Sequence, residues 1–146
     1  MYGITLVLGY GFKPLIYTLR YIEKRKCYAL LISDTIISYI PKKMDLLIIY
    51  HADEIIADPF KRIPNINNYD AIAVNLNRVL QHIQLRCGYS FAMKVFRRFI
   101  QKMEIFARIY NMDLLVISHL RNSGRQHSTS YINPNAMRLK KVVFVV

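Results

Sequence analysis

Short apolar runs alternate with amphipathic stretches along this chain. Residues 4–9 (ITLVLG) are apolar up to a glycine and predict a buried strand, followed by a turn punctuated by Gly9, Gly11 and Pro14. Residues 15–26 place apolar side chains at 15, 16, 19 and 22 and end in bases, the pattern of an amphipathic helix. Residues 28–33 (YALLIS) predict a second strand ending at Asp34, and residues 45–50 (DLLIIY) a third, followed by His51, Asp53 and Glu54. Two prolines and three asparagines between 57 and 69 predict a loop. From Asp70 to about Arg86 the spacing of Ile72, Leu76, Val79, Leu80 and Ile83 predicts a helix, broken at Cys87 and Gly88. A longer helix follows from about Ser90 to Tyr110, with Phe91, Val95, Phe99, Met103 and Phe106 on one face and Asn111 closing it. Residues 114–117 (LLVI) predict a fourth strand ending in Ser118 and His119, residues 121–135 a flexible basic loop, and residues 142–146 a last strand. Apolar strands separated by helices predict an α/β fold: a single three-layer domain with a mostly parallel sheet of about five strands.

Composition narrows the class. A chain of 146 residues, 53% of them hydrophobic, suits one domain with a true core. Its apolar runs have strand length and are too short to span a bilayer. Cys27 and Cys87 match no metal-ligand spacing and give no disulfide framework, which favours a reducing compartment. No charged segment followed by an apolar one opens the chain. A soluble, cytoplasmic protein without a membrane partner is expected.

Charge adds a partner class. Residues 1–77 carry nine basic and seven acidic side chains, whereas residues 78–146 carry twelve basic ones against Glu104 and Asp113 alone. Ten of the twelve net positive charges therefore lie in the second half. Such a one-sided field attracts polyanions, and each phosphate contact releases counterions. Lys94, Arg97, Arg98 and Lys102 cluster on a helix flank by their spacing. Arg121, Arg125 and His127 share the 121–135 loop with Tyr131, a combination of charge and ring that suits nucleic acid, DNA foremost. Arg138, Lys140 and Lys141 either extend that patch or guard an edge strand.

Several segments together resemble the RecA-like recombinase core, a P-loop NTPase-like fold, and within it the archaeal recombinase paralogs. GITLVLGYGFKP resembles the family's first strand and phosphate loop, YALLISDT its second strand and MDLLIIYHADEI its Walker B strand. FRRFIQKMEIFARIYNMDLLVISHLR resembles its long helix and the strand whose polar tip senses nucleotide, and the following loop sits where the family carries a DNA-binding loop. The resemblance implies DNA recombination or repair, and a recombinase or paralog partner or self-association. The departures concern ATP chemistry. A working loop reads G-x-x-x-x-G-K-[ST], but Gly9, Gly11 and Lys13 stand in a shorter stretch closed by Pro14. Proline removes a backbone donor where donors bind phosphate, and it also suits an ordinary helix start. Ile36 follows Asp34 and Thr35 where the resemblance implies glutamate, and Tyr50 stands where it implies a metal-holding aspartate. The expectation is a pseudo-ATPase that binds nucleic acid without catalysis. No cofactor is required, and any bound ATP and Mg²⁺ are not hydrolysed.

Two other readings stay open. Asp34, Asp53 and Glu54, with His51, could converge at strand ends as a metal-dependent nuclease; strand-end carboxylates equally serve as helix caps. Alternatively, the basic half could meet an acidic protein partner. Ser118 and His119 read either as a nucleotide-sensing tip or as structural residues, and no nucleophile pairing supports a hydrolase triad.

Overall fold

The computed structural model describes residues 3–56, 68–123, 126–129, 131–132 and 138–146. In chain order these form β1 (Gly3–Gly9), α1 (Lys13–Arg25), β2 (Ala29–Ser33), β3 (Met44–Ile48), α2 (Asp53–Ile56) and β4 (Ala71–Asn75). Then come α3 (Asn77–Cys87), α4 (Tyr89–Ile109), β5 (Asp113–Ser123), β6 (Gln126–Thr129) and β7 (Lys141–Val145). Six strands make one parallel sheet in the order β3-β2-β4-β5-β1-β7, and β6 pairs antiparallel with β5. The fold is α/β, with helices on both faces.

Connection handedness explains the layers. The chain moves from β1 across the sheet to β2, and from β4 in the opposite direction to β5. Right-handed crossovers in opposite directions put the helices on opposite faces. On one face Val7, Leu31, Ala73 and Leu115 pack against Leu15, Leu19 and Ile22 of α1. On the other, Leu6, Ile32, Val74 and Leu114 meet Leu80 and Ile83 of α3 and Phe96 and Met103 of α4. Every residue of β2 and β4 is buried, as strands covered on both sides must be.

Three elements differ from the sequence expectation. The helix expected over 70–86 is a strand, β4, followed by the shorter helix α3. Ile72 and Val74 pack on one face of the sheet and Ala71 and Ala73 on the other, so the strand shows no alternation and the following helix's period absorbed it. In α4, Phe96 and Ile100 are buried whereas Phe91 is exposed, so the inward face is rotated from the expected one. Part of the expected 121–135 loop is regular: β5 continues to Ser123 and β6 returns beside it. Gly88 (φ 91°) breaks α3 from α4, and Asn111 (φ 54°) closes α4, both in the left-handed region. Among the described residues no helix is long and apolar enough to cross a membrane.

Candidate functional site

The parallel strands deliver their C-terminal ends to one edge, where open α/β sheets place ligands. A cleft of about 340 Å³ opens there, lined by Gly11, Asp34, Thr35, Asn75, Arg78 and His119 among others. They come from five segments: the β1–α1 turn, the end of β2, the end of β4, the start of α3 and β5 where it passes the end of β1.

A polar chain runs across the floor. His119 Nε2 lies 3.4 Å from Asn75 Oδ1, and Asn75 Nδ2 donates to Ser33 Oγ at 3.3 Å. Ser33 Oγ accepts the Thr35 N–H at 3.0 Å, and the Thr35 hydroxyl donates to Asp34 Oδ1 at 3.1 Å. Asp34 Oδ2 accepts the Val79 N–H at 2.7 Å. That last bond explains a gap in α3, whose own N-cap position is Leu76, without a side-chain cap and with no acid in the first turn. A carboxylate from the end of β2 thus satisfies an amide that α3 leaves open and complements its positive end. Burial raises the Asp34 pKa above the usual carboxylate value, with the Val79 and Thr35 hydrogen bonds opposing it. Burial lowers the His119 pKa, while the nearby Asp34 charge and a hydrogen bond with the Gly11 backbone act the other way.

The glycine turn is compact. Only three residues separate Gly9 from Lys13, the first residue of α1. Gly9 is tightly enclosed: a Cβ would sit 3.1 Å from both Pro14 Cδ and the Val145 carbonyl oxygen, so a side chain there needs a neighbour to shift. Gly11 adopts φ 58°, Pro14 is buried within the first turn, and its carbonyl accepts the Thr18 hydroxyl at 2.8 Å. Lys13 is exposed. The turn is shorter than a G-x-x-x-x-G-K-[ST] loop, and Pro14 contributes no backbone donor to it.

The metal-strand assignment made from sequence moves. β3, with Tyr50 beyond its end, lies four strands from β1, about 19 Å at the usual strand spacing, too far to share an ion with the glycine turn. β4 lies two strands from β1, about 10 Å, and its last residue is Asn75, a neutral amide engaged by Ser33 and His119. Asn75 and Arg78 were missed because residues 70–86 read as one helix.

The nuclease cluster does not form. Glu54 accepts the N–H groups of Tyr50 (2.6 Å) and His51 (2.9 Å), so its carboxylate reaches back to cap α2. Asp53 lines a different groove from Asp34. Among the described residues no three His, Cys, Asp or Glu side chains are grouped to hold a metal.

The predicted nucleic-acid residues divide. Lys94, Arg97, Arg98 and Lys102 are all exposed along α4. Tyr131 is not a free ring: it is 4% exposed, its hydroxyl donates to Gln84 Oε1 at 2.6 Å, and its ring lies 5.8 Å from that of Tyr89. Arg125 lies outside the described residues, as do the side chains of Arg121 and His127, whose backbones belong to β5 and β6. β1 ends opposite His119, so the β5–β6 hairpin extends past the same edge that holds the cleft.

No family model and no curated protein matches the chain. Among solved structures it is similar to that described as "Crystal structure of the RadB recombinase", with a TM-score of 0.60 and 13% sequence identity. The similarity covers 85% of this chain and 64% of that one, so the chain spans less than two thirds of that protein's length. The mostly parallel six-stranded sheet with helices on both faces agrees with that similarity, and the fold of this chain is RecA-like.

Proposed function

We propose that the protein binds nucleic acid, DNA foremost, as a recombination-related RecA-like protein that does not hydrolyse ATP. The observation that carries this reading is the outer face of α4. Lys94, Arg97, Arg98 and Lys102 are exposed there, and among the described residues none of the four has an ion-pair partner, whereas Arg108 pairs with Glu104 at 2.9 Å. Unpaired cations at helical spacing offer a positive surface to a phosphate backbone. The edge supports the negative half of the reading: Asn75 cannot replace a metal-holding carboxylate, and the short Pro14-closed turn cannot cradle a triphosphate. The hairpin with Arg121 and His127 is the second contact in this reading. Similarity to a recombinase makes an accessory role beside such an enzyme, or beside another copy of this chain, part of the same proposal.

Fluorescence anisotropy across a salt series tests it. Binding to DNA should weaken steeply with salt, and alanine at all four α4 positions should flatten the log–log slope. The expected change is about 0.9 for each duplex phosphate no longer neutralised, or about 0.7 for each single-strand phosphate. Absence of binding at low salt would overturn the proposal and assign the basic face to an acidic protein partner.

A further inference from the structure

Two grooves meet at one exposed ring. Between α2 and α4 lies a groove of about 440 Å³ whose floor is formed by Ile55, Val95 and Phe99 and whose rim carries Lys94, Arg98 and Lys102. Between the β3–α2 turn and α3 lies another of about 380 Å³, lined by Tyr50, His51, His82 and Arg86. Phe91 lines both, and it is 42% exposed although Phe96 and Phe99 of the same helix are buried. Tyr50, on the second groove, is 65% exposed.

Helical spacing turns these residues into a track. Phe91, Lys94, Arg98 and Lys102 follow at intervals of three, four and four, so one ring and three cations run along one stripe of α4. From Lys94 to Lys102 the helix rises about 12 Å. That length matches three to four stacked nucleotides of one strand at about 3.4 Å each. A single row of cations serves one phosphate chain, whereas a duplex presents two. Every nucleobase has a face that an exposed ring can stack on, but in a duplex those faces are already covered. Among the described residues the linings of the two grooves include one acid, Asp53, which lines the second groove and not the one that carries the cation row.

We propose that these two grooves, which share Phe91, form a seat for single-stranded nucleic acid, with Phe91 as the stacking platform and Lys94, Arg98 and Lys102 as the phosphate row. The proposal rests on the nucleic-acid reading above and adds to it the strandedness of the ligand and the residue that selects it. Stacking and charge separate cleanly in an experiment. Truncating the ring removes affinity without changing the number of phosphates neutralised, whereas truncating a cation changes both.

The test is anisotropy titration of a labelled oligothymidylate and of a duplex of equal length, with the wild type, Phe91→Ala, Phe91→Leu and Arg98→Ala/Lys102→Ala. Oligothymidylate should bind more tightly than duplex. Phe91→Ala should weaken it by about tenfold while leaving the salt slope and duplex affinity unchanged. Phe91→Leu keeps the apolar bulk, guards against a folding defect, and should lose most of the same affinity. The double cation variant should flatten the salt slope. If both nucleic acids bind but neither Phe91 variant discriminates between them, the inference fails and the nucleic-acid reading stands. If neither binds at low salt, that reading fails first and the inference with it. If polyglutamate binds with the same dependence on Phe91, the groove belongs to an acidic chain and the inference is overturned.

Discussion

Replacing Asp34 separates a structural carboxylate from a catalytic one. Its Oδ2 accepts the Val79 N–H at 2.7 Å and its Oδ1 the Thr35 hydroxyl at 3.1 Å, so Asp34→Ala strips the acceptor from a buried amide in the first turn of α3. Lost caps cost about 1 kcal/mol and unsatisfied buried donors about 1–3 kcal/mol. Because the two describe the same bond, the expected loss is about 2 kcal/mol. For a chain of this length that lowers Tm by roughly 6 °C and the urea midpoint by about 1 M. Asp34→Asn keeps an acceptor oxygen and sheds a buried charge, so at neutral pH it should fall close to wild type. The pH dependence has a definite sign. Burial raises the folded pKa of Asp34 above its ordinary 3.8. Its contribution to stability is therefore fully present below 3.8 and is lost as pH rises through the raised folded value. Urea denaturation of the three proteins from acid to neutral pH measures this. An Asp34→Ala protein as stable as wild type would refute the capping argument, and divalent-metal-dependent DNA cleavage abolished by that substitution would make Asp34 catalytic instead.

Two further outcomes are expected. Burial depresses the His119 pKa below 6.5, so its contribution to stability is present above 6.5 and is lost as pH falls through the depressed value; the urea midpoint should fall over that range and His119→Gln should flatten the change, with an NMR titration of the ring locating the depressed value. Gly9→Ala forces a methyl to 3.1 Å from Pro14 and the Val145 carbonyl, and should cost about 1–3 kcal/mol by thermal denaturation; no loss would show that β7 yields at that point.

What the sequence disclosed follows the range of the forces involved. Strands such as 28–33 and 114–117 were legible because they are unbroken apolar runs bounded by polar residues, and α4 because 21 residues repeat one period. β4 was not, because Ile72 falls in helical phase with Leu76 and with Val79 of the following helix, and a strand buried on both faces has no alternation to betray it. The edge cleft was half legible. Asp34, Gly11 and His119 stood at recognisable strand ends, but Asn75 became visible only once β4 was a strand lying between β2 and β5. Asp34 carried a second ambiguity: a carboxylate at a strand end looks the same in sequence whether it binds a metal or caps a helix from another part of the chain. Tyr131 looked available because its neighbours in sequence are polar, yet Gln84 and Tyr89, more than 40 residues away, bury it. Phe91 looked like core because it stands at helical spacing from Phe99, but Ala92, Phe96, Phe99 and Met103 carry the inward face of α4 and leave Phe91 exposed.

Nucleic-acid binding on this RecA-like fold should be independent of nucleotide. That independence is measured as DNA affinity with and without saturating ATP and Mg²⁺, with phosphate release recorded from the same samples. One affinity under both conditions is expected, with phosphate release no faster than in a protein-free blank. ATP-dependent binding, or turnover that Lys13→Ala abolishes, would contradict the proposed function and make the short Gly9 to Lys13 turn a working phosphate loop.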